Sequence, residues 1–172
     1  MNYLKINSGI FKGIYITIPE RKIFQIIRPL ASESLHYFSK HIEENNDSSG
    51  ILELFAGSGT LGINLLYNKK RILHLLERNK KVIVSLYSNI LKIKSHNNFY
   101  ISQCNAFKKF LSFNIYQCIY NLVIIDPPYA VKLNIEFWKL VASTLTMRGL
   151  FFFRQDSNFF ILVNKRKMGF EP

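Results

Sequence analysis

The chain has 172 residues, 48% of them hydrophobic and 20% charged, which is the balance of one globular domain and not of a disordered segment. No apolar run approaches the ~20 residues of a membrane helix. Met1–Lys5 opens no signal-peptide core, and Cys104 and Cys118 with four histidines supply neither a disulfide framework nor a four-ligand zinc site. These features lead us to expect a cytoplasmic, reducing setting, with no membrane and no metal.

Net charge is +12, and the excess is uneven: residues 1–49 carry six basic and five acidic side chains, residues 50–172 seventeen and six. A basic excess on a globular domain suits a polyanion such as nucleic acid. A genome biased toward Ile, Asn, Lys and Phe would raise Lys without a partner, so charge alone leaves both readings open.

Residues 1–30 read as an appendage. Tyr3–Ile6 and Gly13–Ile18 are β-rich and are separated by Gly9 and Gly13, the pattern of a hairpin. Ser32 is expected to cap a helix through Leu35, Phe38 and Ile42, and Glu43–Gly50 is a polar break. Residues 31–172 form the main unit. In it Ile51–Phe55, Ile72–Leu76, Phe99–Ser102, Leu122–Ile125 and Leu150–Phe153 read as buried strands. Thr60–Tyr67, the run Val82, Leu86, Ile90 and Ile93, and Ile135–Leu145 have helical spacing. The alternation predicts an α/β, doubly wound, Rossmann-like and mostly parallel sheet, with the N-terminal hairpin added to it. Ligands in such sheets bind beyond the carboxyl ends of the strands.

Three motifs lie at those ends. Glu53-Leu54-Phe55-Ala56-Gly57-Ser58-Gly59-Thr60-Leu61-Gly62 closes the first core strand with a sharp turn and points a helix N-terminus at the same spot. No Gly-Lys-Ser/Thr follows, so it is not a Walker loop. Glu77 closes the second strand, twenty residues past Gly57, where a carboxylate accepts from two adjacent ribose hydroxyls. Gly57, Gly59 and Gly62 have the Gly-x-Gly-x-x-Gly spacing that dinucleotide loops share, and the ligand here is expected to be a nucleoside.

Asp126-Pro127-Pro128-Tyr129 closes another strand. The prolines take the chain rigidly out of the sheet and lack N–H groups, which leaves their carbonyls and Asp126 as acceptors in the cleft. Tyr129 offers a stacking face. Such a set suits an exocyclic amine on a planar ring, whose delocalised lone pair needs acceptors for its protons before it can attack.

Together these motifs resemble class I S-adenosylmethionine-dependent methyltransferases that act on amines. Gly9-Ile10-Phe11-Lys12-Gly13, Arg28-Pro29, the glycine loop, Glu77-Arg78-Asn79 and Asn89 are further similar to the bacterial 16S ribosomal RNA guanine-N2 methyltransferases, the RsmD-like family, over nearly the whole chain. The chain departs from that pattern at Leu30, where the family has Thr, at Glu53, commonly Asp, and at Asn64, where an acid is common. Lys167-Met168-Gly169-Phe170 resembles the start of the family's final hairpin strand, so that strand is expected to be clipped at Pro172.

The resemblance implies S-adenosylmethionine as cofactor, with Glu53 and the loop Phe55, Ala56, Gly57, Ser58 and Gly59 along its methionine moiety. It implies Glu77 and Arg78 at the ribose and Asn105 and Ala106 flanking the adenine. Asp126, Pro127, Pro128 and Tyr129 would hold the target amine in line with the methyl. The implied substrate is small-subunit ribosomal RNA or the assembling particle, at guanine-966, and the protein is expected to be a monomer. The guanine must be unstacked or in a loop to be reached. Two other readings share the fold: an adenine-N6 nucleic-acid methyltransferase, and an inactive RNA-binding or ribosome-assembly protein.

Lys12, Arg21, Lys22 and Arg28 are expected to grip RNA phosphates from the appendage; the bland alternative is that the hairpin only covers a sheet edge. His36, His41, His74 and His96 have no evident acid–base partner and read as surface or filler. Lys69-Lys70-Arg71 and Lys80-Lys81 read as solvated helix ends, and Trp138 as core.

Overall fold

The computed structural model describes residues 2–19, 49–67, 70–93, 98–106, 120–128, 131–155 and 158–164. Strands β1 (Asn2–Lys5) and β2 (Tyr15–Ile18) pair antiparallel as the expected hairpin. The helix expected from Ser32 and the boundary at residue 30 lie outside the described residues, as do His36, His41, His96, Lys69 and Cys118.

The main sheet comprises β3 (Gly50–Leu54), β4 (Leu73–Glu77), β5 (Phe99–Gln103), β6 (Tyr120–Ile125), β7 (Leu145–Gln155) and β8 (Asn158–Asn164). Their order is β5-β4-β3-β6-β7-β8, parallel throughout except for the last strand. The chain winds outward from β3 to β5, then returns to lay β6 beside β3. The switch point therefore lies between β3 and β6. Both strands are buried along their whole length, which is why they read as unbroken apolar runs.

Alternate residues feed two cores. One face packs Ile51, Leu73, Leu75, Leu122 and Ile124 against Ile63, Leu86 and Ile90, and the hairpin adds Ile6, Phe11 and Ile16 to this layer. The other packs Leu52, Leu54, Leu76, Val123 and Ile125 against Phe137 and Val141. The helices are α1 (Thr60–Asn64), α2 (Lys80–Lys92) and α3 (Ile135–Thr144). Asn79 caps α2 by accepting from Lys81 N, and Asn134 caps α3 by accepting from Phe137 N. No helix among the described residues is long and apolar enough to cross a membrane.

Three expectations need correction. The helix at Thr60 ends at Asn64, not Tyr67, and the carbonyls at its end serve the hairpin: Ser8 Oγ donates to Asn64 O and Ile10 N to Leu66 O, both at 2.8 Å. β8, from the apolar run at Phe159–Val163, pairs antiparallel with β7, and the strand expected at Lys167–Phe170 lies outside the described residues. Arg71 is buried and donates to Ser49 O at 3.1 Å.

His74 is also buried. Its ring lies 3.0 Å from Tyr120 Oη through Nδ1 and 3.0 Å from Ser102 Oγ through Nε2, so it joins β6, β4 and β5 in one polar line. Trp138 is half-buried, packed on Phe137, Phe151 and Phe153.

Candidate functional site

The sheet order sets the ends of β3, β4 and β6 side by side, and all three motifs leave from there. After β3 the backbone enters the left-handed region at Phe55 (φ 63°), Gly57 (φ 57°) and Gly59 (φ 77°). Phe55 pays no glycine-like discount there: the conformation costs a bulky side chain about 1–2 kcal/mol. Neighbouring bonds hold it, because Ala56 N donates to Leu76 O at 2.8 Å and Gly57 N to Glu77 Oε2 at 2.9 Å. At Gly59 a Cβ would come within 2.7 Å of Leu86 Cδ1, so a side chain there would be strained by its φ and would also push Leu86 aside. The Ser58 side chain is turned inward, with its Oγ 2.7 Å from Thr60 Oγ1, so this loop presents backbone at that point.

Glu77 is half-buried at the end of β4. Its Oε2 takes the Gly57 N–H, and its Oε1 takes the Asn79 N–H at 2.7 Å. Each carboxylate oxygen has a second lone pair, so the group can tie down the loop and still accept from a pair of adjacent hydroxyls. That donor demand matches a ribose. Arg78 beside it is exposed. Cys104 N donates to Glu77 O at 2.9 Å, which brings the end of β5, with half-buried Asn105 and buried Ala106, next to Glu77.

Glu53 is 2% exposed and accepts from Gly62 N at 3.0 Å. Burial pushes its carboxyl up from 4.5 to about 8; Asp126 and Glu77 push the same way, while the Gly62 N–H and Arg154 pull against them. At pH 7 it is therefore mostly protonated, and a ligand ammonium brought against it would ionise it.

The folded chain holds this proton more tightly than the unfolded chain. Glu53 thus subtracts stability as pH rises from 4.5 toward 8, at up to about 1.4 kcal/mol per pH unit. Glu53→Gln keeps an acceptor for Gly62 N and removes the ionisation. Urea unfolding between pH 5 and 8 should show a flatter decline in the variant; an unchanged slope would contradict the buried, protonated state.

Asp126 follows β6 and is half-buried. Arg154, 8% exposed on β7, grips it with two prongs: Nε donates to Oδ1 at 2.7 Å and Nη2 to Oδ2. The parallel register that sets Ile125 beside Phe153 sets the next residues, Asp126 and Arg154, together. Sequence reasoning missed Arg154, although a charge closing the apolar run Leu150–Phe153 was a usable signal. One of the expected acceptors, Pro128 O, already accepts from Val131 N at 3.0 Å and closes a turn, with one lone pair left over. Pro127 is half-buried and Pro128 exposed; Tyr129 lies outside the described residues, as do Arg21, Lys22 and Arg28. Lys12 is exposed at the hairpin turn.

The site thus unites Glu53, the loop 55–59, Glu77, the β5 end and Asp126–Pro128 along one edge. The family described as conserved hypothetical protein 95 matches residues 4–168. Among curated proteins no sequence matches.

Solved structures share the fold. The Escherichia coli protein yhhF, a candidate methyltransferase, is 21% identical over 93% of this chain and 86% of its own, with a TM-score of 0.69. The Haemophilus influenzae candidate methylase HI0767 is 18% identical over 93% and 85%, at 0.70. The S-adenosylmethionine-dependent methyltransferase from Agrobacterium tumefaciens is 13% identical over 73% and 44%, at 0.60. With residues 4–168 matched and this sheet order in place, the chain belongs to the family described as conserved hypothetical protein 95, the RsmD-like group within the class I methyltransferase fold.

Proposed function

We propose that the protein is an S-adenosylmethionine-dependent methyltransferase that modifies the exocyclic N2 amine of a guanine in small-subunit ribosomal RNA, at position 966. The observation that carries this reading is the convergence of the glycine loop, Glu77 and Asp126 at the ends of three neighbouring strands. Methyl transfer is also the chemistry for which the structural neighbours are named, which supports this reading.

The residues fit the cofactor: Glu77 has acceptors for the ribose, the left-handed loop offers close backbone approach, and buried Glu53 can ionise against the α-ammonium. When bound, the cofactor supplies an electrophilic methyl group. The chain's own task is positioning. Asp126 accepts an amine N–H and fixes the nitrogen lone pair toward the donor, while Arg154 fixes the carboxylate.

The hairpin supports the RNA part. Its outer face carries Tyr3 and Tyr15, both exposed. Lys92 Nζ lies 5.6 Å from the Tyr3 ring and Lys5 Nζ 6.0 Å from the Tyr15 ring. Flat rings beside cations suit unpaired bases and their phosphates. Changing Lys12, Arg21, Lys22 and Arg28 together to Ala should weaken RNA binding and make its salt dependence shallower, by somewhat under one in the log–log slope per lost contact, with cofactor binding unchanged. If affinity and slope stay as in the wild type, the RNA is held elsewhere.

The reaction itself is tested by incubating the protein with 16S ribosomal RNA and tritiated S-adenosylmethionine and analysing the nucleosides. Label in N2-methylguanosine is expected. Label in N6-methyladenosine would transfer the reading to adenine, and no label on free RNA or on assembling particles would favour the inactive assembly protein.

A further inference from the structure

Two buried amides join the N-terminal hairpin to the glycine loop. Asn89 of α2 is fully buried, and its side chain binds β2 from both sides: Thr17 N donates to its Oδ1 at 2.7 Å, and its Nδ2 donates to Thr17 O at 2.8 Å. The same Nδ2 donates to Ser58 O at 3.1 Å, in the middle of the loop between Gly57 and Gly59. Asn64, at the end of α1, works from the other side. Its Oδ1 accepts from Asn7 N at 2.9 Å and Ser8 N at 3.2 Å, while its Nδ2 returns to Thr60 O at 2.8 Å, on the first residue of the helix that the loop opens.

Each amide thus joins the hairpin to the loop or to its helix. An amide that only filled core would not need partners on two separate chain segments. From this geometry we infer that Asn64 and Asn89 are positioning residues through which the hairpin sets the glycine loop. The hairpin is then part of the cofactor site, though it touches no cofactor, and displacing it lowers cofactor affinity. This rests on the cofactor reading above.

The hairpin offers a matched pair of probes. Gly9 and Gly13 both have positive φ, +70° and +95°. A Cβ on Gly9 would lie 2.7 Å from Leu66 O and 2.8 Å from Asn64 O, backbone atoms that cannot step aside, so Gly9→Ala lifts the hairpin from α1. A Cβ on Gly13 meets nothing within 4 Å, so Gly13→Ala strains the turn and leaves the docking intact. Asn89→Asp tests the joint itself, since it keeps the acceptor for Thr17 N and loses both donated bonds.

Two measurements are made on each folded variant: deuterium uptake by residues 57–64 and calorimetric affinity for S-adenosylhomocysteine. Gly9→Ala and Asn89→Asp should speed uptake and weaken binding by about fivefold or more, while Gly13→Ala should leave binding within about twofold. Wild-type uptake in both Gly9→Ala and Asn89→Asp overturns the inference, whatever the ligand does. Absence of binding by the wild-type protein overturns the cofactor reading instead, and uptake still decides whether the hairpin sets the loop.

Discussion

Replacing Asp126 with Ala should slow methyl transfer by about a hundredfold or more while S-adenosylhomocysteine affinity stays within an order of magnitude. The carboxylate would act where the amine develops positive charge, and its effect is therefore on rate more than on ground-state binding. Alanine also removes the carboxylate that buried Arg154 grips with two donors, which threatens folding. Asp126→Asn, which keeps the shape, is the companion variant, and it should also lose most of the rate. Arg154→Gln should reduce kcat without shifting cofactor affinity, because Arg154 acts through Asp126. Wild-type turnover in both Asp126 variants would remove Asp126 from the reaction.

Glu77→Ala should do the reverse. It removes the ribose acceptors and also the partners of Gly57 N and Asn79 N, so cofactor affinity should fall by at least about tenfold. Turnover at saturating cofactor should fall much less, since Glu77 is far from the reacting methyl in this account. Glu77→Gln keeps one carbonyl acceptor and should fall between the two. Calorimetric affinity unchanged in Glu77→Ala would exclude the ribose role.

The two variants probe parts of the molecule that differ in how readily they were read from sequence. β3 and β6 were legible because both faces of each strand are covered, so burial wrote itself as a run of aliphatic residues. The glycine loop and Glu77 were legible because their spacing follows from one strand, one turn and one helix. Arg154 was not, since its meaning depends on β7 lying beside β6 in a particular register, a contact between residues 28 apart.

His74 failed for the same reason: its partners sit on β5 and β6 and no local pattern links the three. Pro128 was read as a cleft acceptor because a carbonyl without competition faces outward. The turn to Val131 takes one of its two lone pairs, a partner that no local pattern announced. Asn89 was noticed only as a letter of a family pattern and Asn64 only as a departure from it, and their bonds to the hairpin show what each does. Local rules reach an element and its ends. They do not reach pairings between elements distant in sequence, and most of the site's polar contacts are of that kind.

The central claim is that the ends of β3, β4 and β6 form one nucleoside cofactor site that opens toward Asp126. A crystal structure of the protein with S-adenosylhomocysteine tests this most directly. The account requires both ribose hydroxyls on Glu77, the amino-acid end against Glu53 and the glycine loop, and the sulfur on the side facing Asp126. A ligand seated elsewhere, or with its ribose away from Glu77, would contradict it.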